Sequence, residues 1–207
     1  MSLLALVAPP VAVVPSVTLS RALYRMSVEQ YHEIARQGII TGSDRVELLE
    51  GLLVQKRTIY PPQRWTVRRL LKTLGRNVPP GWFEDSQQPI TLDDSEPEPD
   101  GMVIRGDPDQ YPDRHPGPRE VGLVAEVADS SLDEDRGRTK RIYARANIPV
   151  YWIVNLVERQ IEVYTDPTGP GENPDYLQRN DYGPNDVIPL ILDGQEVARI
   201  PVSDLLP

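Results

Sequence analysis

The apolar positions of this chain change period several times, and each change marks an element. SVEQYHEIARQG has helical spacing, with Ser27 and Gln30 in capping-box relation and Gly38 placed to end the helix in a left-handed conformation. DRVELLEGLLVQKRT reads as a hairpin turning at Glu50-Gly51. Pro61 and Pro62 open a second helix to about Asn77, with Val67, Leu70, Leu71 and Leu74 on its apolar stripe, and Pro79-Pro80 close it. WFEDSQQPITL predicts one or two short strands and MVIRG another. VGLVAEVA, almost continuously apolar, predicts a central strand buried on both faces. LDEDRGRTKRIYARAN is helical, with acids in its first turn and cations later, as the helix dipole favours. VYWIVNL is a second buried strand, paired with RQIEVYT across a turn at Val157–Arg159. YLQRNDYG, VIPLIL and EVARIPV predict shorter strands that extend or flank the sheet.

Three stretches read as connectors. In DDSEPEPD the prolines hold the chain extended and the charges resist burial. DPDQYPDRHPGPRE and the segment from Asp166 to Pro174 are surface loops by their Pro, Gly and Asp content. Strands interleaved with a few helices, including a strand–helix–strand unit over 121–156, indicate an α/β or α+β fold with a mixed central β-sheet flanked by helices. The 207 residues suit one domain, over 26–207, behind a flexible leader at 1–25. That leader is apolar, but it has three prolines and no basic start, so it reads as neither signal peptide nor membrane helix. A cytoplasmic protein is expected.

Composition narrows the chemistry. The chain has no Cys, which excludes disulfides and thiolate metal sites, and two His, which argues against a multi-histidine zinc centre. Any metal would therefore be oxygen-bound: Mg, Mn or Ca. A net charge of −9 argues against holding nucleic acid through bulk charge, yet leaves room for a local basic face. RWTVRRLLKTLGR, from Arg64 to Arg76, is the one stretch dense enough to supply it; the alternative is a solvated helix flank.

The candidate site residues are acids that interrupt apolar runs. Alternation along VGLVAEVA puts Glu126 with Val124 and Gly122 on one face, opposite Leu123, Ala125 and Val127. Left ionised and unpaired, a carboxylate there would cost on the order of several kcal/mol, so it must meet an arginine or a metal. Asp100 begins the strand carrying Met102 and Ile104. Glu47 is expected to point inward from the hairpin, and Glu50 to be an exposed turn acid. Lys140 is one of three lysines against nineteen arginines, and lysine, unlike arginine, can release its proton. Asp100, Glu126 and Lys140 together could hold a divalent cation beside a tunable amine. For Lys140 alone, an ordinary solvated helix residue is the alternative.

RVELLEG, EPEPDGMVIRG, LVAEVADSSLDEDRGRTKRIYARANIPVYWIVNL and RQIEVYTDP are similar to the Uma-type putative restriction endonuclease family, a bacterial branch of the PD-(D/E)XK nuclease superfamily. The similarity runs from about Met26 to Pro167. It implies a restriction-endonuclease-like core that binds Mg (or Mn) and hydrolyses phosphodiester bonds of nucleic acid, with DNA the expected partner and a homodimer possible. Asp100 resembles the acid of the PD motif and Glu126 the second acid. Glu47 resembles the acid that completes the metal ring, and Lys140 the lysine this branch moves to the following helix.

The pattern departs from the family in places. The usual lysine two residues beyond Glu126 is replaced by Ala128, and the family's helix lysine four residues after Asp135 is replaced by Thr139, with Lys140 one position later. Thr139 falls on the stripe of Ile142, Tyr143 and Ala146, from which Lys140 is rotated by about 100°. Gln63 stands where the family often has a histidine, and Gly101-Met102 replaces a β-branched pair after Asp100. Two further readings stay open: a module that keeps the metal site without turnover, and a glycosidase working through Asp100 and Glu126. The second suits poorly a chain only 6% aromatic.

Overall fold

The computed structural model describes residues 22–207. The expected leader falls almost wholly outside them.

Local chemistry accounts for most elements. Helix α1 (Val28–Arg36) starts at the Ser27–Gln30 capping box, and Gly38 follows it at φ +70°. Strands β1 (Val46–Leu49) and β2 (Leu52–Gln55) pair antiparallel around Glu50-Gly51, at φ 51° and 74°. Two left-handed residues are what a two-residue turn needs to match strand twist. Helix α2 (Pro61–Asn77) begins on its two prolines, whose missing N–H groups would have had no helical partner.

The remaining strands are β3 (Trp82–Asp85), β4 (Gly101–Arg105), β5 (Val121–Ala128), β6 (Val150–Asn155), β7 (Gln160–Pro167) and β8 (Tyr176–Tyr182). They form one six-stranded sheet in the order β3-β4-β5-β6-β7-β8. Every pairing is antiparallel except β5–β6. That parallel pair requires a crossover, supplied by α3 (Leu132–Glu134), a π-helical turn (Asp135–Thr139) and α4 (Lys140–Arg145) run end to end. β9 (Val187–Leu192) and β10 (Gln195–Pro201) make a separate hairpin that covers the sheet rather than extending it.

Two cores lie on opposite faces of the sheet. One joins Val67, Leu70 and Leu74 of α2 to Leu123, Ala125 and Val127 of β5, Trp152 of β6 and the β9–β10 hairpin. The other packs Ile142 and Tyr143 of α4 on Met102, Val124, Tyr151 and Ile153. The fold is thus α+β with a mixed central sheet, as the pattern predicts.

Three expectations are corrected. Gly122 does not share a face with Glu126: it is the extra residue of a bulge in β5 opposite Val103 and Ile104, and a Cβ on it would lie 2.6 Å from the Trp82 ring and 2.8 Å from Leu192, on the α2 side. The DDSEPEPD connector is not solvated. Ser95 and Glu96 are buried beneath α1 and the hairpin, where Glu96 accepts from His32 Nε2 (2.7 Å) and from the Thr91 hydroxyl (2.7 Å). Nor is Glu50 an exposed turn acid, since Arg141 (2.8 Å) and Arg145 (3.4 Å) clamp its carboxylate to α4.

Candidate active site

Asp100 and Glu126 meet because β4 and β5 are neighbours and Asp100 sits just before Gly101, which pairs with Ala125. Asp100 Oδ2 accepts from the Val127 amide (3.0 Å), and the Asp100 amide donates to Glu126 Oε2 (3.4 Å). Gln63, in the first turn of α2, donates to the same Asp100 oxygen (3.4 Å). On the opposite side the Tyr143 hydroxyl of α4 donates to Glu126 Oε1 (2.8 Å). Glu47, on β1, accepts from the Glu98 amide at 3.3 Å. These acids line one cavity of about 370 Å³ between the hairpin, the connector, α2 and the crossover helix.

The cavity holds a further buried acid. Asp135 is 6% exposed and lines it, and among the described residues its Oδ2 has no hydrogen-bond partner. Its backbone is fixed from below, as the buried Tyr151 hydroxyl donates to the Asp135 carbonyl (3.1 Å). Asp135 opens the π-helical turn, a local widening that in many proteins marks a functional position. In the sequence Asp135 enters only as the reference point for a lysine. The available signal was the unusual acid at the start of an inward-facing helical stripe.

The acids share an electrostatic problem. Burial raises the Asp100 carboxyl above its usual value, and burial likewise raises Glu47. Glu126 is pushed well up by burial and then by Asp100, and Asp135 is raised to about 7, chiefly by burial. The cations at the cavity wall are engaged elsewhere. Lys56 pairs with Glu98, and Arg57 binds Glu134 (2.7 Å) and the Ser130 carbonyl (2.6 Å). Buried carboxylates lacking a cation are the situation that an added divalent ion relieves. The donor set is all oxygen, which suits Mg or Mn. Among the described residues, however, no three histidine or acid side chains are grouped closely enough to hold an ion together.

Lys140 is not brought to this cavity. Its ammonium pairs with Asp175 (2.7 Å) and lies 5.3 Å from the centre of the Tyr164 ring, while Thr139 lines the cavity in its stead. The lysine at the cavity is Lys56, which follows β2.

The site thus sits on the mixed sheet of an α+β fold, with two acids at adjacent strands and a helix-borne acid lining the same cavity. The chain belongs to the Uma2 family, described as "Putative restriction endonuclease", whose model matches residues 28–198. Among solved structures, a "putative nuclease belonging to DUF820" from Anabaena variabilis is similar with a TM-score of 0.60, over 87% of this chain and 97% of that one, at 12% identity. At that identity the likeness concerns the fold alone. No curated protein matches the chain. Among the described residues, no helix is long and apolar enough to cross a membrane.

Proposed function

We propose that the protein is a metal-dependent endonuclease that hydrolyses phosphodiester bonds of DNA with Mg or Mn. The observation that carries this reading is the Asp100–Glu126 pair, buried at a cavity with the unpartnered Asp135 oxygen and, among the described residues, no ion pair to any of the three. Asp100 and Glu126 are the pair that would hold the ion, and Glu47 and Asp135 line the same cavity. When bound, the ion draws charge from a phosphate oxygen and lowers the pKa of adjacent water. The chain does the rest. Gln63 and the Val127 amide orient Asp100, and Tyr143 fixes Glu126. Lys56 offers an ammonium at the cavity wall to the charge that develops on phosphate, once it leaves Glu98.

The test is cleavage of DNA by purified protein with Mg or Mn, abolished by Glu126→Ala. Cleavage that survives this substitution sinks the assignment. A second reading has its own observation in favour: Thr139 occupies the cavity position where the family pattern has a lysine, and Lys140 points to Asp175. On that reading the chain is a metal-binding module without turnover. Calorimetric Mn binding that depends on Glu126, with no cleavage of any DNA, would select it.

A further inference from the structure

Helix α2 carries five cations and no acid in 17 residues, within a chain of net charge −9. Its inner face is spent on the core, through Thr66, Val67, Leu70 and Leu74. On its outer face Arg64, Arg68, Lys72 and Arg76 are exposed. Among the described residues none of these four has a carboxylate within ion-pair distance, whereas Arg57, Arg136, Arg138, Arg141, Arg145 and Arg179 are all paired. The four recur every fourth residue, so at about 1.5 Å rise per residue they make a stripe about 18 Å long, the length of about five phosphates at about 3.4 Å per nucleotide.

The stripe starts at the cavity. Gln63, which donates to Asp100, immediately precedes Arg64. Two exposed aromatics flank the same end: Tyr60 at 56% and Trp65 at 42% exposure. Arg69, itself bound to the Asp204 carbonyl (2.8 Å), holds its guanidinium 5.1 Å from the centre of the Trp65 ring. Bases stack on aromatic faces of this kind when a strand is single or locally opened. The other cation-rich helix, α4, offers nothing comparable, because Arg141 and Arg145 are committed to Glu50 and Asp94.

We infer that the outer face of α2 is the track on which a nucleic-acid strand lies as it enters the acid cavity, its phosphates against Arg64, Arg68 and Lys72 and its bases beside Tyr60 and Trp65. This rests on the nuclease reading and names where the substrate docks. An acidic protein would meet the same charges, but it would leave unused the exposed Tyr60 and Trp65 on which bases stack.

The test measures binding rather than cleavage. Fluorescence anisotropy with labelled single-stranded and duplex DNA, in EDTA and across a salt series, compares the full chain with the triple variant R64Q/R68Q/K72Q and with Trp65→Ala. All four positions are exposed, and melting curves confirm that the variants fold. The triple variant should bind about 10- to 100-fold more weakly, with a log–log salt slope reduced by about two to three. Trp65→Ala should weaken the single strand more than the duplex. Unchanged affinity and slope in the triple variant, with the wild type binding and cleaving, overturns the track and leaves the nuclease reading standing. A wild type that neither binds nor cleaves overturns both. Tighter binding of polyglutamate than of either DNA, lost in the triple variant, reassigns the face to an acidic protein and overturns the proposal.

Discussion

Asp100 and Glu126 hold each other through the backbone. The Asp100 amide donates to Glu126 Oε2, and the amide that follows Glu126, that of Val127, donates to Asp100 Oδ2. Each acid therefore fixes the other's place, and among the described residues neither is paired with a cation. This cost should appear in the pH dependence of stability. Asp100, Glu126, Glu47 and Asp135 are all raised, with burial the first cause in each. A carboxyl raised by folding binds more protons in the folded than in the unfolded state at any pH between its two pKa values, so stability falls as pH climbs through that window. For Asp135 the window runs from 3.8 to about 7. The Tm of cation-free protein should fall between about pH 4 and pH 7, and Asp135→Asn should flatten the decline. A wild-type Tm that rises across this range contradicts the picture.

Tyr143 is the donor that steadies Glu126 from the far side. Burial, and then the Glu126 charge, push its phenol well above the usual value, so it remains protonated and donating. Tyr143→Phe leaves a buried carboxylate short of a partner, at a cost of about 1–3 kcal/mol. For a chain of this size the melt should drop by about 2–4 °C per kcal/mol. Glu126 should also become harder to ionise, moving the acid limb of any pH–rate profile upward. A profile identical to wild type would show that the bond does not tune Glu126.

Much of this was legible because the determinants are local. The Ser27 cap, the Glu50-Gly51 turn, the proline-bounded α2 and the alternating β5 each rest on residues within a few positions of one another. Alternation alone puts Leu123, Ala125 and Val127 on one face, whereas Gly122 joins that face because it is the extra residue of a bulge in β5 itself. The buried connector was equally hidden: Glu96 is acceptable in the interior only because His32, 64 residues away, reaches it. Helical phase pointed to Thr139 rather than Lys140 as the inward residue, and the structure places Thr139 at the cavity. Asp135 and Lys56 reach it through the π-helical turn and the hairpin, whose packing no local pattern reveals.

Gly101 illustrates a constraint that resembles a weak strand start. A Cβ there would lie 2.8 Å from Leu70 Cδ2, so the missing side chain is what lets α2 settle on β4 and bring Gln63 to Asp100. Gly101→Val should lower stability by about 1–3 kcal/mol through overpacking. It should also weaken Mn binding measured by calorimetry, because Gln63 moves with its helix. The double variant G101V/L70A should recover part of both losses, and no recovery would mean that the clash lies elsewhere.

The two lysines can be separated directly. Lys140→Ala removes a partly exposed ion pair and should cost less than about 1 kcal/mol. On the geometry above it should leave any cleavage within about twofold of wild type, whereas Lys56→Ala should lower it by about 100-fold, as expected for losing one preorganised donor. The reverse ranking would return the catalytic role to Lys140.

Thr139 allows a gain-of-function test of the same site. It ends the π-helical turn, four residues after Asp135, and its side chain lines the cavity that holds Asp100 and Glu126. Thr139→Lys should place an ammonium among carboxylates that now lack one. An opposite charge near a buried acid lowers its pKa, so the folded state would release protons and the Tm decline above about pH 5 should shrink. If the chain turns over slowly for want of this amine, cleavage with Mg should rise by about tenfold or more. Thr139→Met supplies comparable bulk without charge and should produce neither effect. A lysine variant that matches the methionine variant in both melt and cleavage would mean that position 139 does not face the acids closely enough to act on them.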